Sequence, residues 1–458
     1  MMLQRLLLLA CVLVIALGTI VVDFPEGVIA VGFIFAITGL VVIAIQKYAE
    51  ERQFLTAVFL SALALRMGFG IFIHVFELRE WFGSDALVYD LGGLELLDVW
   101  TGRTEAAGNV AFVEVNPGIG WFWGMNYLTA SIYYLLGHNV FAAQSFCGLI
   151  GAATAPMVFF CAKRIFNNIN VAKFSAVAIT VFPSFIVWSG QLLKDGLVIF
   201  FLVTTITMVL QLQKKFSYPA VVALVISLFG ILSLRFYIFY MVVVAVAGSF
   251  LVGLTNSNRS ILRNTVVLAI VGFALTYYGI GRQATAEYEA FGSLEKVQLS
   301  RLDLSRSAES GFASEADVST TRGALSTMPV GFAYLMLAPF PWEAANLRQA
   351  ITIPEVLVWW ATIPFLFIGL LYTIKNRLRS AFPILIFILL LTIAYSIFQG
   401  NVGTAYRQRT QIQVFMFILV GVGWTVFKEK RENERIIRQT AQRRVDERIR
   451  AGRLVVQK

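Results

Sequence analysis

The sequence predicts an all-α integral membrane protein of about twelve transmembrane helices, with one further helical segment lying at the outer surface. Three observations carry that expectation. The 458 residues are 58% hydrophobic and only 14% charged, whereas soluble domains are about half apolar and a quarter charged. Apolar runs of roughly 20 residues, the length that crosses a bilayer as helix, recur along the chain. The Lys and Arg residues between them fall in alternate short loops, as the positive-inside bias requires. Alternating polarity of the kind that marks barrel strands is not seen, and helices satisfy their own backbone in lipid.

The apolar runs are 3–22, 27–46, 54–75, 139–162, 171–189, 194–212, 217–234, 236–255, 261–281, 351–374, 379–398 and 410–427. The tail after 427 carries Arg431, Arg435, Arg438, Arg443, Arg444, Arg448, Arg450 and Arg453, so it is assigned to the cytoplasm. Alternation then places Lys375, Arg377 and Arg379, Arg259 and Arg263, Lys214 and Lys215, Lys163, Arg164 and Lys173, and Lys47 and Arg52 on the same side. This pattern holds only if 118–136 does not cross. That stretch is rich in Trp and Tyr, as interfacial helices are. Both termini are then cytoplasmic, and 76–138 and 282–350 form large outer segments. The division is two N-terminal helices (1–53), a membrane module (54–427) and a basic tail (428–458). The net charge of +10 follows from this topology and does not call for nucleic acid. Cys11, Cys147 and Cys161 all lie in apolar runs, without metal-ligand spacing.

The informative charges stand at the outer ends of the runs. Asp85 follows the third run, and Asp90, taken as one turn further on, is its candidate companion; Tyr89 lies between them. Lys194 and Asp195 open the sixth run. Arg235 occupies a very short outer turn, where it could bind a lipid phosphate bidentately. Arg407 and Arg409 precede the last run on the outer side, against the positive-inside trend. Arg282 belongs to the same outer set. Arg66 is the one clear charge inside a run; at about 2.5–3.5 kcal/mol for a mid-membrane charge, it calls for an interior carboxylate or a polar cavity. No P-loop, dinucleotide fingerprint or Ser-His-Asp order is present.

The order of these features resembles a known superfamily. An Arg-bearing helix is followed by an outer loop with Ser84-Asp85 and Tyr89. Asn116-Pro117-Gly118 then opens an aromatic helix ending Leu135-Leu136-Gly137, a small-residue helix ends in Arg164-Ile165-Phe166, and Pro183-Ser184 precedes Ser189 and Lys194-Asp195. Pro339-Phe340-Pro341-Trp342 and the final Arg pair complete the set. This is similar to the GT-C superfold of membrane glycosyltransferases, including the protein mannosyltransferases and the aminoarabinose transferases of lipid A. The resemblance covers most of 60–425. It implies a GT-C-like fold, a polyprenyl-phosphate-linked sugar as donor, and a glycan, lipid or protein acceptor on the outer face of the plasma (inner) membrane. It also implies a catalytic acid at Asp85, a second acidic position at Asp195, and a lipid-phosphate contact at Arg235. Three departures stand against the pattern: two extra helices precede the first outer loop, Asn116-Pro117-Gly118 replaces Lys-Pro-Pro, and no large soluble domain follows the last helix.

The reading that results is an inverting sugar transfer. Asp85, with Asp90, would take the acceptor proton. Lys194, Arg235, Arg407 and Arg409 would stabilise the departing phosphate, and Arg66, Tyr89 and Asp195 would support them. A divalent cation, Mg2+ or Mn2+, is open as a cofactor. The alternatives are a polymerase or ligase using a lipid diphosphate-linked oligosaccharide, a transporter or flippase, and a scaffold without turnover. A transporter would be expected to show repeats and broken helices through the midplane.

Overall fold

A computed structural model describes residues 24–103, 123–252, 293–306, 310–313, 315–344 and 346–456, with scattered positions in 9–22 and 265–273. The first and ninth expected runs therefore lie largely outside the described residues. Cys11, Arg259, Arg263, Arg282 and Asn116-Pro117-Gly118 lie outside them too.

The described residues are almost entirely helical. In chain order they form α1 (Glu26–Tyr48), α2 (Arg52–Val75), α3 (Arg79–Gly83), α4 (Asp85–Trp100), α5 (Trp123–Leu136), α6 (Val140–Phe166), α7 (Ile169–Val181) and α8 (Pro183–Val187). These are followed by α9 (Lys194–Lys214), α10 (Tyr218–Leu234), α11 (Phe236–Val252), α12 (Leu294–Arg306), α13 (Thr321–Leu337), α14 (Leu347–Phe398) and α15 (Val402–Val456). Six of them, α1, α2, α6, α9, α14 and α15, are long and apolar enough to cross a membrane. The protein is thus a multi-pass, all-α membrane protein, with six clear spans among the described residues against the twelve expected of the whole chain. Three further apolar helices, α7, α10 and α11, are shorter.

Local sequence explains where helices stop. Asn139 caps α6 by accepting from the Ala142 amide, and Asn167 closes it in the left-handed conformation. Asn168 then caps α7. The expected run 171–189 is broken at Phe182, which takes an extended conformation before Pro183 opens α8. The runs 351–374 and 379–398 are joined into α14, which bends at Arg377 (φ −138°, ψ 21°). The last run continues into the basic tail as the single helix α15. Within the aromatic segment the described residues form α5, 14 residues that pack along α4.

Helices α2, α6, α7, α9, α10, α14 and α15 bury a common core that includes Phe59, Cys147, Val198 and Phe415. Phe35, Leu40 and Ile43 on α1 and Phe367 and Leu371 on α14 point away from protein. That placement suits helices whose outer surface meets lipid rather than water.

The bundle has two distinct ends. At one, Lys163 pairs with Glu50 at 2.6 Å, Lys173 with Glu51 at 3.0 Å, and Lys214 donates to the Arg164 carbonyl. The Lys163 charge and hydrogen bond hold the Glu50 carboxyl below its usual range. Helix α9 runs from this end, at Lys214, to the other, at Lys194. Its 21 residues span about 30 Å. Of the charges singled out from the sequence, Asp85, Lys194, Asp195, Arg235 and Arg407 gather at the Lys194 end.

Candidate active site

Four chain segments meet there. Asp85 opens α4, Lys194 and Asp195 open α9, Arg235 ends α10, and Arg407 lies in the second turn of α15. Asp195 is fully buried and takes a guanidinium on each oxygen. Arg235 Nη2 donates to Oδ1 at 2.7 Å and Arg407 Nε to Oδ2 at 2.7 Å. Arg407 Nη1 donates at 2.7 Å to Asp85 Oδ2, so this one guanidinium bridges two carboxylates 110 residues apart in sequence. The planar fork of arginine makes such bridging possible.

Secondary contacts hold the arginines in place. Arg407 stacks over the Trp188 ring at 5.5 Å. Arg235 also donates to the Tyr237 hydroxyl at 2.6 Å; the Tyr237 ring lies 6.3 Å from that of Tyr395, whose hydroxyl donates to Gln411. Lys194 is buried, with Nζ 5.8 Å from the centre of the Tyr89 ring. Burial, and then the charge of Asp85, push the Tyr89 phenol above its ordinary range, so it stays neutral. Burial of Lys194 sets it apart from a lysine that snorkels to the interface.

Two properties of this cluster matter chemically. It gathers three basic side chains, Lys194, Arg235 and Arg407, around two carboxylates, Asp85 and Asp195. Asp85 differs from Asp195: its side chain is 44% exposed and gives one oxygen to Arg407, so it can reach a molecule arriving from outside the bundle. Arg235 also keeps a buried Nε with no partner among the described residues.

The other expected site residues lie elsewhere. Asp90 is five residues beyond Asp85, which turns it about 140° around α4. It accepts from Tyr133 at 2.8 Å and contacts His138 Nε2 at 2.9 Å. Burial and the Asp90 charge raise the Tyr133 phenol. Arg409 is two residues beyond Arg407 and so faces the opposite side of α15. It is fully buried, stacks on Tyr406 at 5.1 Å and donates to the Met336 and Ala338 carbonyls. Arg66 has no carboxylate partner among the described residues. It donates to Ser189 Oγ at 2.8 Å and to the Ala62 and Ile179 carbonyls.

Sequence reasoning missed Glu355. It lies inside the expected run 351–374, where no charge had been noted. It is buried on α14 and accepts from Ser184 and, at 2.6 Å, from Tyr406. The signal was a carboxylate eight residues into an apolar helix, next to Pro354.

The carboxylates present do not suit a divalent cation. Both oxygens of Asp195 and one of Asp85 are occupied by the guanidinium groups of Arg235 and Arg407. Among the described residues no three His, Cys, Asp or Glu side chains form a metal-holding group.

Comparison with known proteins locates a relationship in the middle of the chain. Residues 117–277 match the family model for dolichyl-phosphate-mannose-protein mannosyltransferase. That stretch of the chain is similar to this family, one of those that its ordered motifs resemble. The match includes Lys194, Asp195 and Arg235 and excludes Asp85 and Arg407. Among solved structures, the crystal structure of ArnT from Cupriavidus metallidurans bound to undecaprenyl phosphate is similar at 16% identity, with a TM-score of 0.43. The similarity covers 75% of this chain and 60% of that one. No curated protein matches the chain.

Proposed function

We propose that the protein is a membrane glycosyltransferase that moves a sugar from a polyprenyl-phosphate donor to a glycan, lipid or protein acceptor. The observation that carries this reading is the Asp85–Arg407–Asp195–Arg235 chain, buried at Asp195 and Arg235 and open at Asp85, with Lys194 beside it. The matched family model names a donor of the same chemistry, a sugar joined to a polyprenol through one phosphate.

Each residue then has a role. Asp85, half open, takes the proton of the acceptor hydroxyl as its oxygen attacks the anomeric carbon. The sugar–phosphate bond breaks on the opposite face, inverting that carbon. The phosphate leaves as an anion and needs charge stabilisation rather than a proton. Arg235, Arg407 and Lys194 provide it from fixed positions, and preorganised donors are most effective where charge develops. Asp195 holds both arginines in place. Arg66 supports Ser189, and Tyr89 forms the apolar wall beside Lys194. Asp90 and Arg409 belong to the supporting shell around the outer end.

The same reading sets orientation. The Lys163, Lys173 and Lys214 end is cytoplasmic and the Asp195 end faces outward. The chain crosses about twelve times, α14 counting twice because of its bend at Arg377. The site is held by whole helices at one end of the bundle, which favours an enzyme over a transporter with a midplane site.

The test is transfer of label from a radiolabelled polyprenyl-phosphate hexose, using purified protein and a cell-envelope acceptor extract. Label appearing in acceptor supports the reading. Transfer only from lipid diphosphate-linked oligosaccharides would replace it with a polymerase or ligase.

A further inference from the structure

Lys194 and Asp195 are delivered to the site by the turn between α8 and α9. Residues 189–193 are buried although they belong to no regular element. Buried irregular backbone in a membrane protein needs partners that fix it. Besides its local hydrogen bonds, two charged side chains within candidate spans hold this segment, one at Ser189 in the turn and one at Ser184 in α8. At Ser189, Arg66 on α2 donates from Nε at 2.8 Å, while its Nη2 holds the last turn of α7 through the Ile179 carbonyl. At Ser184, the Glu355 carboxylate on α14 accepts the hydroxyl and also accepts from Tyr406, the neighbour of Arg407.

The seat of Ser189 is made by glycine. A Cβ on Gly196 would stand 2.5 Å from Ser189 Cβ, and one on Gly151 would overlap the same side chain. Between the two serines, Trp188 lies under Arg407 and 6.3 Å from the Tyr406 ring. The turn therefore touches the charged site directly and connects to it through Asp195.

We propose that Arg66 and Glu355 are positioning residues: two buried charges of opposite sign, on different helices, that clamp the 184–193 turn at its two serines and so set where Asp195 and Arg407 stand. The clamp acts on the turn before any ligand arrives. Its effect on turnover rests on the reading of the site given above; its effect on the turn does not.

The experiment is hydrogen exchange by mass spectrometry on the full chain in lipid nanodiscs, comparing peptides over 184–193 with peptides over 205–214 at the far end of α9. Glu355→Leu should speed exchange across the turn by about tenfold, the loss expected for one buried hydrogen-bonded partner, and leave 205–214 unchanged. Ser184→Ala should act in the same direction, which covers the case in which Glu355→Leu does not fold. Glu355→Gln, which still accepts one hydroxyl, should restore most of the protection. Arg66→Met should loosen the turn from its Ser189 side. Unchanged exchange in both Glu355→Leu and Ser184→Ala would overturn the clamp. Equal loosening of both peptides would also overturn it, because the role would then be general stability. A protein with no sugar transfer at all would remove the proposed activity while leaving the exchange result to stand or fall alone.

Discussion

Arg407 is the residue on which the site turns, because its guanidinium joins Asp85 to Asp195. A lysine there is a single point charge and cannot hold both carboxylates in plane. Arg407→Lys should therefore weaken binding of a polyprenyl phosphate and lower transfer at least tenfold, measured by ligand-induced thermal shift and by turnover. The two carboxylates should respond differently to removal of charge. Asp85 is 44% exposed, so Asp85→Asn should fold normally yet lose about 10²–10⁴ in rate, the usual worth of a general base. Asp195 is fully buried between two arginines. Asp195→Asn leaves buried cations uncompensated, and breaking such a pair costs about 3–5 kcal/mol; a lowered Tm should accompany its loss of activity. Equal thermal stability of the two variants would contradict this division of labour.

The candidate site is built from helix ends rather than helix middles. Asp195 stands in the first turn of α9, where the helix dipole also favours a carboxylate. Arg235 stands where α10 stops, in a conformation (φ −153°, ψ 87°) that no longer continues the helix. The close approach of α6 and α9 around Ser189 depends on Gly151 and Gly196. Gly196→Ala should overpack that contact and destabilise by about 1–3 kcal/mol, read as a fall in Tm. Helix α15 is different beyond residue 428, where its side chains are exposed through 444. Truncation after Lys430 should leave transfer by the purified protein unchanged, and a loss would give the tail a role in the site. Periodicity and charge placement made most of these helices readable. Register around a helix was less readable: Asp90 and Arg409 were placed near the site by proximity in sequence, but 140° and 200° of rotation carry them to other faces.

The protein as a whole is a bundle with one basic end and one end where acids and arginines are paired. That polarity was visible in the sequence because Lys and Arg sort by side and long apolar runs are hard to mistake. The pairing itself was not. Asp195 and Arg407 are 212 residues apart, and only the packing of α9 against α15 brings them together. Glu355 escaped notice because an apolar helix surrounds it and its partners, Ser184 and Tyr406, are 171 and 51 residues away. The proposed orientation rests on the same polarity. The native Cys147 and Cys161 are buried. In a background without Cys11, Tyr134→Cys should react with a membrane-impermeant maleimide on intact cells, and Arg435→Cys only after permeabilisation; the opposite pattern would invert the topology. The most direct test of the proposed mechanism separates binding from transfer in Asp85→Asn. Purified wild-type and variant protein would be given the same polyprenyl-phosphate sugar, measuring donor affinity and sugar transfer in parallel. The roles assigned here predict that the variant binds donor as the wild type does and transfers at least a hundredfold more slowly. Wild-type transfer by Asp85→Asn would contradict them, and so would loss of donor binding with no change in the rate of transfer once donor is bound.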